Sequence, residues 1–166
     1  MTGCNEYMAR IRALGLDRRV EYYIRDALSH KVLENDNGRA YKPSDEFLGY
    51  AGDLVNIADD NYEKIAPFAF FRHKGSKPSN GDHMGADAFI SNSIVALMGF
   101  VKPQEKQLME LASDNSCSPS DIYVGLAARV LQKSVESGVL KTEKIIGEET
   151  KEVYGTAIIL DNSPEV

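Results

Sequence analysis

Between residues 86 and 101 the chain reads ADAFISNSIVALMGFV, and its large apolar residues go round the whole helix axis rather than along one face. They are Phe89, Ile90, Ile94, Val95, Leu97, Met98, Phe100 and Val101, interrupted only by Asp87 and the run Ser91, Asn92, Ser93. A helix apolar nearly all round belongs in the middle of a bundle or in a membrane. A membrane span needs about 18 or more consecutive apolar residues, and this stretch is shorter. The pattern therefore predicts a buried central helix whose neighbours cover its sides.

Elsewhere the apolar positions fall on single faces. Tyr7, Met8, Ile11 and Leu14 form one helical stripe, ended by Gly15 and Leu16. Val20, Tyr23, Ile24, Ala27 and Leu28 form the next, over about 18–31, with His30 and Lys31 in a last turn that suits positive charge. Asn37 and Gly38 are a tight-turn pair, so 31–34 and 39–42 are candidate arms of a small hairpin. Ser44 caps a helix whose stripe is Phe47, Leu48, Ala51, Leu54, Val55 and Ala58, and Gly49 and Gly52 suggest a close helix crossing. A short helix over about 60–66 should stop or kink at Pro67. Phe68, Phe70 and Phe71 read as an aromatic core.

Residues 72–85 read as the longest loop, because Gly75, Pro78, Gly81 and Gly85 oppose regular structure. After the central helix, Pro103 opens a helix to about Ser113. Ser118, Pro119 and Asp121 then spell a capping box at the head of a helix that Gly138 stops. Its buried side is Ile122, Leu126, Ala127, Val130, Leu131 and Val135. The β-formers Val153, Tyr154, Thr156, Ile158 and Ile159 follow Lys144, Ile145 and Ile146 across a Gly147–Thr150 turn, which predicts a C-terminal hairpin over about 143–160. The expected fold is mainly α, about six helices around 86–101. Residues 1–160 are expected to form one globular domain, with 161–166 a frayed tail.

Composition adds limits. The chain has 166 residues, 43% hydrophobic and 27% charged, enough to bury a substantial core without staples. The first fifteen residues lack the apolar run of a signal peptide, and Cys4 and Cys117 show no disulfide or metal-ligand spacing. Together these lead to the expectation of a cytoplasmic protein with free thiols, no membrane span and no cofactor.

The net charge of −6 is unevenly spread. Residues 43–70 hold Lys64 against Asp45, Glu46, Asp53, Asp59, Asp60 and Glu63, whereas 1–42 and 71–85 each carry an excess of two positive charges. Opposed patches of this kind suit docking to a charged partner or self-association.

The loop at 72–85 is the richest in chemistry, with Arg72, His73, Lys74, Lys77, Asp82 and His83. Two imidazoles and a carboxylate suit metal binding or general acid–base work. Their spacing matches no metal motif, so no metal site is expected, and the basic members suit contact with a phosphate or an acidic surface. The run Asp59, Asp60, Asn61 lacks the alternating ligands of a calcium loop.

Residues 103–160 resemble a winged-helix DNA-binding domain in the order helix, break, helix, hairpin and in the ending Gly138-Val139-Leu140. That resemblance implies 119–137 as a recognition helix, the hairpin as a wing, and nucleic acid as a partner through Arg129 and Lys133. The region's own charge is negative, which opposes phosphate binding.

The sequence thus favours a non-enzymatic interaction protein, a small acidic regulator, inhibitor or adaptor. Its partner-binding residues are expected to be Asp53, Asp59, Asp60, Arg72, His73, Lys74, Lys77, Asp82 and His83. Another protein is the expected partner, with a homodimer as a further option. A DNA-binding regulator is the alternative, and a small enzyme using His73 and His83 the second alternative.

Overall fold

The structure is a computed structural model that describes residues 9, 12–14, 20–35, 41–71, 79–151 and 153–161. Among these the chain runs α1 (Val20–Ser29), β1 (Leu33–Asn35), β2 (Tyr41–Pro43), α2 (Asp45–Tyr50), α3 (Gly52–Asp60), α4 (Tyr62–Phe71), β3 (His83–Gly85) and α5 (Ala86–Phe100). A 3-10 turn (Lys102–Gln104), α6 (Glu105–Asp114), α7 (Pro119–Glu136), β4 (Leu140–Ile146) and β5 (Val153–Leu160) complete it. The fold is mainly α with a small C-terminal antiparallel sheet.

Two helices form its middle. Ten of the fifteen residues of α5 are buried, in keeping with its all-round apolar pattern. Twelve of the eighteen in α7 are buried as well, and α7 packs against α1, α3, α4, α5, α6, β1, β2 and β4. Its start is the capping box read from the sequence: Ser118 Oγ accepts from Asp121 N at 3.3 Å, and Asp121 Oδ2 accepts from Ser118 N at 3.0 Å. Gly138 takes φ 82°, the left-handed conformation that ends the helix.

Several expectations change. The stripe from Phe47 to Ala58 faces the core, buried at Phe47, Ala51, Leu54, Val55 and Ala58 and partly buried at Leu48, but its helix breaks at Ala51 (φ −104°, ψ 19°) into α2 and α3. Gly49 and Gly52 mark no close crossing, since nothing lies within 4 Å of a Cβ position on either. Pro67 sits inside α4 rather than ending it, and Phe68, expected in the core, is exposed. The helix expected to reach residue 31 ends at Ser29, and Lys31 turns the chain with φ 59°.

The small hairpin exists, with Leu33 opposite Pro43 and Asn35 opposite Tyr41; its expected turn at Asn37 and Gly38 lies outside the described residues. The C-terminal hairpin begins at Leu140, earlier than expected, and gains a third strand. β3, expected to be loop, pairs with β5, giving the order β3-β5-β4. Gly81 (φ 93°) allows the preceding turn: its N–H donates to Leu160 O at 2.7 Å, and Leu160 N donates to Asp82 O at 2.8 Å. The polar run in α5 is used for packing. Asn92 Nδ2 donates to Ala69 O at 2.8 Å, tying α5 to α4, while the buried Ser93 hydroxyl has no hydrogen-bond partner among the described residues. No helix among the described residues is long and apolar enough to cross a membrane.

Candidate functional site

The acidic block maps to the outside of α2, α3 and α4. Most apolar positions described there, Phe68 excepted, face the core, and the intervening carboxylates of Asp45, Glu46, Asp53, Asp60 and Glu63 are exposed. Asp59 is different. Arg129 on α7 grips it as a fork, Nε to Oδ1 at 2.9 Å and Nη2 to Oδ2 at 3.0 Å, and Lys133 Nζ donates to its carbonyl at 3.4 Å. The Asp59 hydrogen bond raises the Arg129 pKa further, so the guanidinium stays charged. Asp59 therefore ties α3 to α7, with 25% of its side chain left exposed.

Of the other expected site residues, Arg72, His73, Lys74 and Lys77 lie outside the described residues. Asp82 Oδ2 accepts from Ser79 N at 2.8 Å and so shapes the turn before β3. His83 is exposed on β3 opposite Ile159. His83 belongs to the sheet and Asp82 to the turn before it, whereas Asp53 and Asp60 belong to α3.

The basic residues of the winged-helix resemblance are engaged within the fold. Arg129 is held by Asp59 and by Gln132 Oε1 at 3.1 Å, and Lys133 stands 5.1 Å over the Tyr62 ring. Tyr62 O–H in turn donates to Ser134 Oγ at 2.7 Å. The helix that would read DNA is the one most enclosed by other elements.

A cluster that the sequence did not announce surrounds the N-terminus of α7. His30 Nδ1 donates to Asp121 Oδ2 at 2.6 Å, across 91 positions of sequence. Asp121 is fully buried, and its Oδ1 has no hydrogen-bond partner among the described residues. Cys117 lies beside it. Burial raises the Cys117 thiol pKa, the Asp121 charge raises it again, and a hydrogen bond with Tyr50 lowers it in part. Tyr50 is itself pushed up, first by burial, then by Cys117, Glu46 and Asp121. A nucleophilic cysteine needs a depressed pKa and positive surroundings; this thiol has the reverse and stays protonated near neutrality. Its signal in the sequence was only the capping box, because His30 and Tyr50 come from distant elements. Among the described residues no three His, Cys, Asp or Glu side chains stand together as a metal site.

One open groove of about 200 Å³ lies between α6 and α7, lined by Leu14, Met98, Leu108, Met109 and Tyr123, with Glu105 its charged member. Met109 is 56% exposed there.

Compared with family models, curated proteins and solved structures, the chain matches none.

Proposed function

We propose that this chain is a non-enzymatic interaction protein that docks a basic surface of another protein through the acidic face of α2, α3 and α4. One observation carries the reading: Asp45, Glu46, Asp53, Asp60 and Glu63 are exposed and enter no ion pair among the described residues. A run of uncompensated carboxylates on rigid helices steers and orients a positively charged partner. Several groups that catalysis could use are engaged within the fold. Asp59 and Arg129 hold each other, His30 holds Asp121, and the Cys117 thiol is kept neutral. The action that fits is that of a regulator, inhibitor or adaptor.

The test is capture of partners from native lysate with nuclease present, comparing the wild-type chain with Asp53→Lys and Asp60→Lys together. The reading expects a protein partner that survives nuclease and is lost with the reversed charges. Partners released by nuclease would transfer the reading to nucleic acid, and capture unchanged by the reversal would remove the acidic face from it.

A further inference from the structure

β4 is an edge strand. The order β3-β5-β4 leaves one side of β4 unpaired among the described residues. Its odd-numbered residues face β5 with their backbone groups: Asp161 N donates to Val139 O at 2.9 Å, and the register continues through Lys141 opposite Ile159 and Glu143 opposite Ala157. In an antiparallel ladder the hydrogen-bonded positions alternate. The N–H and C=O groups of Leu140, Thr142 and Lys144 therefore point to the open edge. Exposed, unpaired edges are templates for another strand, and proteins normally blunt them. This edge carries the charged residues Lys141, Glu143 and Lys144 and, past them, Ile145 at 49% and Ile146 at 55% exposure.

A strand that pairs antiparallel with its own copy about a two-fold axis places one residue opposite itself. Centring on Lys141, Glu143 or Lys144 sets like charges face to face, which is destabilising. Centring on Thr142 does the opposite. Lys141 then faces Glu143 of the copy, Glu143 faces Lys141, and Val139 and Ile145 face each other at both ends. All four stand on one face of the strand, where Lys141, Glu143 and Ile145 are exposed. Thr142 is also an outward-facing position, so the central pair exchanges two backbone hydrogen bonds. The β-bulge comes after this stretch, between Ile145 and Ile146, and leaves the paired segment regular.

We infer that two copies of this chain associate by antiparallel pairing of their β4 edges about Thr142, forming one continuous six-stranded sheet. The Val-Lys-Glu-Ile alternation is self-complementary in charge and apolarity, as an isologous interface requires. This goes beyond the docking reading: it names a second copy of the chain as a partner, on a surface separate from the acidic face.

The experiment is sedimentation of the full chain at rising concentration. Wild type forms a dimer that higher salt weakens. Glu143→Lys sets Lys141 against lysine and raises the dissociation constant about tenfold or more. The swap Lys141→Glu with Glu143→Lys, made in an Asp161→Asn background because Lys141 pairs with Asp161 at 3.2 Å, restores the dimer, a result that only this register explains. Thr142→Pro removes an outward N–H without touching the β5 ladder and gives a monomer. Independently, Thr142→Cys, with Cys4 and Cys117 replaced by serine, cross-links across the axis, where facing Cα atoms lie about 5.5 Å apart. Glu143→Cys, offset in the register, does not. A wild-type chain that stays monomeric, a swap that stays folded but fails to restore the dimer, or absent Thr142→Cys cross-linking would overturn the inference. A monomer that still captures its protein partner overturns the pairing alone; a dimer that captures nothing overturns the docking reading alone.

Discussion

A Cβ placed on Gly125 would lie 2.8 Å from Cε2 of Phe47 and 2.7 Å from Cγ1 of Val32. The absent side chain is what lets the first hairpin and α2 close over the middle of α7. A glycine inside a helix costs about 1 kcal/mol against alanine, and the burial of Phe47 and Val32 it permits offsets that. Gly125→Ala should therefore destabilise despite the higher helix propensity of alanine, by about 1–3 kcal/mol. Urea denaturation measures this. Adding Val32→Ala should recover part of the loss, because it vacates one of the colliding atoms; fully additive costs would count against the packing explanation.

The fork between Arg129 and Asp59 is only partly screened, with 22% and 25% of the two side chains exposed. Removing either partner leaves a half-buried charge without its hydrogen bonds. Arg129→Ala and Asp59→Ala should each cost about 1–2 kcal/mol. Their double variant should cost clearly less than the sum, a coupling that a double-mutant cycle reads directly. Arg129→Lys should restore little, since an ammonium cannot reproduce the bidentate geometry.

The Cys117 thiol predicts its own pH dependence. Only the thiolate is alkylated, and here burial and then the Asp121 charge favour the protonated form. Iodoacetamide should label Cys117 more slowly than an ordinary exposed thiol at pH 7–8, with the rate rising into more alkaline solution than usual. Asp121→Asn removes the opposing charge and should speed labelling at fixed pH. Tyr50→Phe removes the hydrogen bond that lowers the pKa and should slow it. Peptide mapping after timed labelling distinguishes Cys117 from Cys4.

What could be read from the chain depended on how local its cause was. The capping box at Ser118 and Asp121, the stop at Gly138 and the buried character of 86–101 each arise from residues within a few turns of one another, and each stands in the structure. The break at Ala51 was not legible, because its stripe of apolar positions stays in register through the break and the pattern alone looks continuous. The missing N–H of Pro67 predicts a stop or a kink, and the structure continues α4 through it to Phe71. At the candidate site, the exposure of Asp53 and Asp60 was readable from helical spacing. The capture of Asp59 by Arg129 was not, since 70 positions separate them.

By itself, then, the sequence determined a mainly helical chain, its principal caps and stops, the apolar faces that enter the core, and an uneven charge with an acidic middle. These follow from periodicity and from backbone preferences that act over a few residues. Tertiary structure alone decided which carboxylates remain available and which are consumed. It also decided that β3 joins the C-terminal sheet, that His30 reaches Asp121, and that β4 is left with an open edge among the described residues. Those outcomes depend on which surfaces meet when the core closes, and pairings between distant positions leave no periodic trace in the chain.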